Sequence, residues 1–214
     1  MFELVSEALE EYCEAHTTPE NELLYQLNRE THLKVLRPRM LSGLLQGEFL
    51  SMISQMIRPK YILEIGTYTG YATLCLAKGL EENGCLDTIE IDEELEELIR
   101  KYWKQSPYSQ QIHLHIGDAN HLIPTLNKPW DLVFMDAEKK DYLHYYEMIL
   151  PQMRKGGFLL VDNVLWSGKV VEEVAHNDKE TKAILAFNHH IQQDSRVRNV
   201  MLPFRDGLSI IMKL

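Results

Sequence analysis

Two apolar runs in this chain stop at oxygen-bearing side chains. Trp130-Asp-Leu-Val-Phe-Met135 runs into Asp136, and Phe158-Leu-Leu-Val161 runs into Asp162-Asn163. Two carboxylates and an amide carbonyl are hard donors, suited to magnesium, manganese or calcium. Successive strand residues face opposite ways, so Asp162 and Asn163 can share one ion only if the strand has ended between them. Asp and Asn also make turns after strands without holding anything, and that plainer reading stands beside the metal one.

A second cluster lies earlier. Glu64-Ile-Gly-Thr-Tyr-Thr-Gly70 follows one apolar run and precedes a helical segment. Its G-x-x-x-G spacing lacks the middle glycine of the dinucleotide fingerprint and the Gly-Lys-Ser/Thr of a phosphate-binding loop. A nucleoside ligand without a pyrophosphate suits it better. Glu64 adds a negative charge for a cationic ligand, such as the amino group or sulfonium of S-adenosylmethionine (SAM). The plain alternative is a tight turn with a surface glutamate. Glu90 lies twenty residues past Gly70, inside the apolar stretch Thr88-Ile-Glu-Ile91. There an acid can accept hydrogen bonds from both ribose hydroxyls. In Gly117-Asp-Ala119 the Ala119 N–H or the Asp118 carboxylate could hold an adenine, and Asp118 is equally suited to cap a helix.

The elements that must position these groups change character near residue 60. Before it, three helices are expected, over Phe2 to Ala15, Pro19 to Lys34 and Ser42 to Ile57, with apolar residues at three- and four-residue spacing. Thr18 before Pro19 reads as a cap and a first-turn proline. After it, strands over Tyr61 to Ile65, Cys85 to Ile91, Ile112 to Ile116, Asp131 to Met135 and Phe158 to Val161 alternate with helices. Those helices run from Tyr71 to Leu80, Glu93 to Lys104, Ala119 to Leu126, Lys140 to Met153 and Lys179 to Gln193. Val197 to Leu202 and Leu208 to Met212 flank a five-residue turn, a hairpin signal. Strand–helix alternation implies an α/β fold, a doubly wound and mostly parallel sheet between two helical layers. The hairpin supplies an antiparallel edge and brings the strands to seven. Ligands in such folds sit at the carboxyl ends of the strands, where the residues above lie.

Length and composition narrow the class. The sequence of 214 residues suits one domain, with residues 59–214 as a cofactor- and metal-binding core and residues 1–58 as a lid or a dimer surface. Formal net charge is −10, from 32 acidic and 22 basic side chains, which disfavours a nucleic-acid partner. The three cysteines, Cys13, Cys75 and Cys85, have no paired spacing, so reduced thiols in a cytoplasmic protein are expected. The acidic N-terminus lacks a signal peptide's basic and apolar regions, and no apolar run is long enough to span a membrane. His113/His115 and His189/His190 raise the question of zinc, but no third ligand is evident, so surface or core histidines are expected.

Together these segments resemble the cation-dependent O-methyltransferases, the group that contains the catechol and caffeoyl-coenzyme A enzymes. The likeness runs from about Met40 to the C-terminus. It rests on Leu63-Glu-Ile-Gly-Thr-Tyr-Thr-Gly-Tyr71, Ile89-Glu-Ile-Asp92, Gly117-Asp-Ala119, Phe134-Met-Asp-Ala-Glu-Lys139, Gly156-Gly157, Asp162-Asn-Val-Leu-Trp166 and Leu202-Pro-Phe-Arg-Asp-Gly207. The resemblance implies a Rossmann-like methyltransferase fold and SAM contacts at Met40, Ser42, Glu64, Gly66, Thr67, Tyr68, Glu90, Ala119 and Asp136. It also implies Asp136, Asp162 and Asn163 as ligands of a divalent cation, magnesium before manganese or calcium, with Lys139 as the catalytic base and a homodimeric assembly. Members of the group commonly place a serine where this chain has Ala72, which leaves Thr73 or a water to supply that hydroxyl.

The implied reaction methylates one hydroxyl of a small catechol-like acceptor, with the caffeoyl-CoA type among the candidates. A phenol with a pKa of about 10 is a poor nucleophile at neutral pH, and a divalent ion across both vicinal oxygens favours the phenolate. Lys139 would accept the proton if burial and the ion's charge lowered its own pKa, with Lys140 as its rival. Trp166, Phe204 and Arg205 are expected to wall the acceptor pocket. The alternative acceptor is a hydroxyuridine in transfer RNA, with Arg37-Pro-Arg39 and Arg196-Val-Arg198 as phosphate contacts. The loop spacing argues against a nucleotide-dependent oxidoreductase, and the retained Asp136, Lys139, Asp162 and Asn163 argue against a non-catalytic module.

Overall fold

A computed structural model describes residues 6–214. Short runs rich in Ile, Leu and Val form the first five strands: β1 (Tyr61–Ile65), β2 (Cys85–Glu90), β3 (Ile112–Ile116), β4 (Trp130–Met135) and β5 (Met153–Asp162). The closing hairpin supplies β6 (Val197–Leu202) and β7 (Leu208–Lys213), and the order across the sheet is β3-β2-β1-β4-β5-β7-β6. Strands β1 to β5 run parallel, while β7 is antiparallel to both β5 and β6.

Alternation along β4 feeds two cores. Leu132 and Phe134 face one side, with Leu24, Leu27, Leu50, Leu76 and Tyr102 from α2 (Glu22–Lys34), α3 (Gly43–Ile57), α4 (Tyr71–Ala77) and α5 (Glu96–Trp103). Val133 and Met135 face the other, with Ile123, Tyr146 and Phe187 from α6 (Ala119–Leu126), α7 (Tyr142–Ile149) and α8 (Lys179–Gln193). Three layers result, because a two-residue period presents both faces of each strand to a helical cover. No described helix is long and apolar enough to cross a membrane.

Several boundaries differ from expectation. The first helix, α1, spans Glu7–Ala15, and the expected stretch from Phe2 to Val5 lies outside the described residues. α2 begins at Glu22, not at Pro19, because the Asn21 side chain accepts the Leu24 N–H at 3.0 Å and caps it there. Met153 is not helical. α7 stops at Ile149, just before Pro151, and Met153 is buried and pairs with Trp130 at the start of a long β5. The segment Trp166–Val171 forms 3-10 turns broken by left-handed Ser167 and Gly168, which the sequence did not announce.

α2 is fastened across the carboxyl end of the sheet. The buried Thr31 hydroxyl donates to Thr69 at 3.1 Å, and the Tyr102 hydroxyl reaches the Gln26 carbonyl at 3.0 Å. The chain from α2 into α3 therefore runs beside the glycine loop.

Candidate active site

Strand order reverses between β1 and β4, since β2 follows β1 on one side and β4 lies on the other. At such a switch the loops leaving the two strands diverge and open a crevice. Gly66 leaves β1 there and Asp136 leaves β4, and the Asp136 N–H donates to the Ile65 carbonyl at 2.9 Å. Met40, Ser42, Gly66, Thr67, Tyr68 and Asp136 line one cleft, with Ala72 and Phe134 beside them. Six of the nine expected cofactor residues thus meet in one place.

Glu64 and Glu90 lie under and beside that cleft. Glu64 is fully buried; one carboxylate oxygen accepts from the Thr73 and Thr88 hydroxyls, and the other, Oε1, has no partner. Burial pushes this carboxyl up to about 8, even though the two hydroxyls pull it down. A buried, unpaired carboxylate oxygen is a ready acceptor for a cationic group. The Thr73 hydroxyl spends its proton on Glu64 and keeps only acceptor capacity for the place beside Ala72. Glu90 accepts the Tyr68 N–H at 2.6 Å and the Asp92 N–H at 2.9 Å, and burial raises its pKa. Asp118 takes the plain role and caps α6 through the Asn120 N–H at 2.8 Å. The buried Ala119 begins that helix.

β4 and β5 bring the oxygen donors together. Met135 pairs with Val161, so Asp136 and Asp162 are the next residues on adjacent parallel strands, which lie about 4.8 Å apart. β5 ends at Asp162 and Asn163 turns left-handed (φ +58°), the break that two consecutive donors need to face one point. Burial and the Asp136 charge push the Asp162 carboxyl up to about 6. Two mutually repelling carboxylates, one of them buried, followed by an amide in sequence, have the donor chemistry that a hard divalent cation would require.

The lysines separate clearly. The Lys139 side chain is 12% exposed and its ammonium lies 2.8 Å from Asp136 Oδ1, whereas that of Lys140 is 62% exposed and lies 3.7 Å from Glu138. Burial alone pulls the Lys139 pKa down as expected, but Tyr142 and Asp136 outweigh it and hold the proton above the ordinary lysine value. The expected lowering is absent from this ion-paired state. Of the expected pocket walls, Trp166 lies beside the Lys139 ammonium, 6.0 Å from nitrogen to ring centroid. Phe204 packs on Phe49 instead, and Arg205 turns toward the start of α3.

A family model described as O-methyltransferase matches residues 14–214. The chain belongs to the O-methyltransferase family. It is accordingly a methyltransferase enzyme. It is 36% identical to mouse catechol O-methyltransferase domain-containing protein 1 over 79% of this chain and 66% of that protein. It is 29% identical to probable caffeoyl-CoA O-methyltransferase 1 of Dictyostelium discoideum, over 95% of this chain and 90% of the relative. Among solved structures, the O-methyltransferase TomG of Streptomyces achromogenes, in complex with SAM, superposes with a TM-score of 0.87. That match has 26% identity and covers 96% of each chain.

Sequence reading of this O-methyltransferase missed Gln46, Tyr142 and Thr88. Gln46 donates to Asp162 Oδ2 at 2.7 Å across 116 residues, and Tyr142 donates to the Asp162 carbonyl at 3.0 Å. No local pattern marks such partners. Thr88 could have been suspected, as a hydroxyl in an apolar strand two residues before Glu90.

The histidines have other occupations. His113 and His115 do share a face and meet at the buried Asp87, at 3.7 and 2.8 Å, with Cys85 Sγ 3.8 Å from the same carboxylate. The Lys128 ammonium sits among them, bonded to Asp87 and 3.2 Å from Cys85 Sγ, so a side-chain cation already neutralises the cluster. His190 bonds Glu147 at 3.0 Å, while His189 is exposed.

Proposed function

We propose that this enzyme moves the methyl group of SAM to one oxygen of a catechol-type vicinal diol, with a divalent cation, magnesium first, at Asp136, Asp162 and Asn163. The observation that carries the reading is the register of β4 and β5, which sets two acidic strand ends side by side next to Lys139. SAM supplies an activated methyl on a sulfonium, and the ion supplies a Lewis acid that favours an ionised phenol.

The protein's own groups do the rest. Gly66, Thr67, Tyr68 and Met40 line the place for the cofactor; Glu90 would offer its remaining lone pairs to ribose hydroxyls, and the Ala119 N–H would serve the adenine. The unpaired Glu64 oxygen would be available to the cofactor's positive end. Lys139 is an ammonium paired with Asp136 in this state; an ion on the Asp136 carboxylate would free it to release that proton to solvent, and the neutral amine would then accept the phenolic proton as a general base. The segment between α2 and α3 walls the cleft, since Met40 and Ser42 line it, and the chain works as one catalytic unit.

A transfer-RNA acceptor is less well supported. Arg196 is engaged by Glu147 and Asp194, so its charge is spent on neighbours rather than presented to phosphate. Names of relatives that refer to catechol and caffeoyl-CoA favour a phenolic diol. The test is a methyl-transfer screen over vicinal diols and their mono-hydroxyl analogues, with magnesium and with chelator. Activity confined to diols in the presence of the metal is expected. Full turnover in chelator, or equal turnover of mono-hydroxyl analogues, would remove the ion from the reaction.

A further inference from the structure

We infer that Gln46 is a positioning residue for the divalent-ion site, with its amide held in one orientation by Arg205; the inference rests on the metal reading above. Gln46 lies in the first turn or so of α3 and is 1% exposed. Its Nε2 donates to Asp162 Oδ2 at 2.7 Å, and its Oε1 accepts from Arg205 Nη1. Asp162 Oδ1 in turn accepts the Asn163 N–H at 2.8 Å. Each oxygen of the carboxylate thus has one donor and keeps one lone-pair direction for an ion.

The orientation of the amide follows from donor chemistry. A guanidinium has only N–H donors, so the carbonyl end of Gln46 must face Arg205 and the NH2 end must face Asp162. Arg205 is itself pinned. It adopts a left-handed backbone (φ +50°) in the turn between β6 and β7, and it also donates to the Ser42 and Leu41 carbonyls where α3 begins. A chain of fixed donors therefore runs from the hairpin turn through α3 to Asp162. Without Gln46, the buried carboxylate keeps only the Asn163 N–H on Oδ1, and Oδ2 loses its fixed direction. Groups that orient a metal ligand in this way commonly change metal affinity by about 10- to 100-fold.

The experiment measures Mn²⁺ binding by the paramagnetic signal of the free ion, together with unfolding midpoints in chelator, for the full chain, three single variants and one double variant. Gln46→Met should weaken Mn²⁺ binding about 10- to 100-fold, and Gln46→Asn, whose shorter amide cannot reach Asp162, should do the same. Arg205→Met should also weaken it, and the double variant with Gln46→Met should be no worse than the more severe single variant, because both act through one amide. Wild-type affinity in Gln46→Met or Gln46→Asn overturns the inference, as does simple additivity with Arg205→Met. A fall in Mn²⁺ affinity matched only by a collapse of the chelator midpoint would mark a purely structural role and also overturn it. Should the unaltered enzyme bind no Mn²⁺, the metal reading itself falls, an outcome separate from the others.

Discussion

A Cβ added to Gly66 would stand 2.0 Å from the carbonyl oxygen of Asp136. The two loops that leave β1 and β4 touch backbone to backbone at the mouth of the cleft, and Gly66 is the residue that lets them. Its φ of +95° adds a second reason, since L side chains avoid that region.

Gly66→Ala should therefore damage both stability and the cofactor site. Left-handed backbone alone costs about 1–2 kcal/mol for a residue with a side chain, and crowding adds about 1–3 kcal/mol. Urea unfolding should show the loss, and calorimetry should show weakened SAM binding. An alanine variant with unchanged SAM affinity would mean that the loops can part without consequence.

Lys139→Ala should leave SAM binding within a few-fold of normal while methyl transfer falls by about 10²- to 10⁴-fold, the usual contribution of a positioned proton-transfer group. Lys140→Ala should resemble the unaltered enzyme, because its ammonium pairs only with Glu138 at the surface. Single-turnover rates for the two variants decide between the neighbours.

SAM affinity should rise with pH. The empty Glu64 carboxyl keeps its proton up to about 8 because it is buried, and a cationic ligand needs it ionised. Below that value binding must release a proton, so affinity climbs toward about pH 8 and then levels. Calorimetry in buffers of different ionisation enthalpy would detect the proton, and Glu64→Gln should abolish both the release and the slope. Flat affinity from pH 6 to 8 in the unaltered enzyme would remove Glu64 from the cationic end.

Metal-free stability should depend on Asp162. Its folded pKa, raised to about 6 by burial and by Asp136, lies above the ordinary carboxylate value. The folded state thus binds more protons in this window, and the contribution is complete below the unfolded pKa and lost as pH rises through about 6. In chelator, Asp162→Asn should be more stable than the parent at pH 8, with the difference shrinking toward pH 4. Thermal unfolding across that range tests the sign, and magnesium should stabilise only the parent.

Much of the scaffold was written locally. β1, β3, α6, α8 and β6 fall where the alternating and helical patterns put them, since each buries its apolar residues in a way that one segment alone reveals. α2 and β5 began elsewhere because Asn21 caps through its side chain and Met153 pairs with Trp130, events that depend on a partner's position. The same division holds at the site. Asp136, Asp162 and Asn163 could be read from where apolar runs stop. Gln46 could not, because its meaning comes from residues 116 and 159 positions away.

β7 lies between β5 and β6, so the strand that carries Asp162 receives its outer neighbour only from the hairpin that ends this sequence. During translation every acid of the cleft emerges first, on a strand with one open edge. Arg205 and Asp206, which reach Gln46 and the Ser167 N–H, arrive afterwards. A nascent chain halted before Arg205 would hold the reactive groups without the hairpin's contact to Gln46 or the strand that covers the outer edge of β5, so this part of the bracing follows the groups it braces.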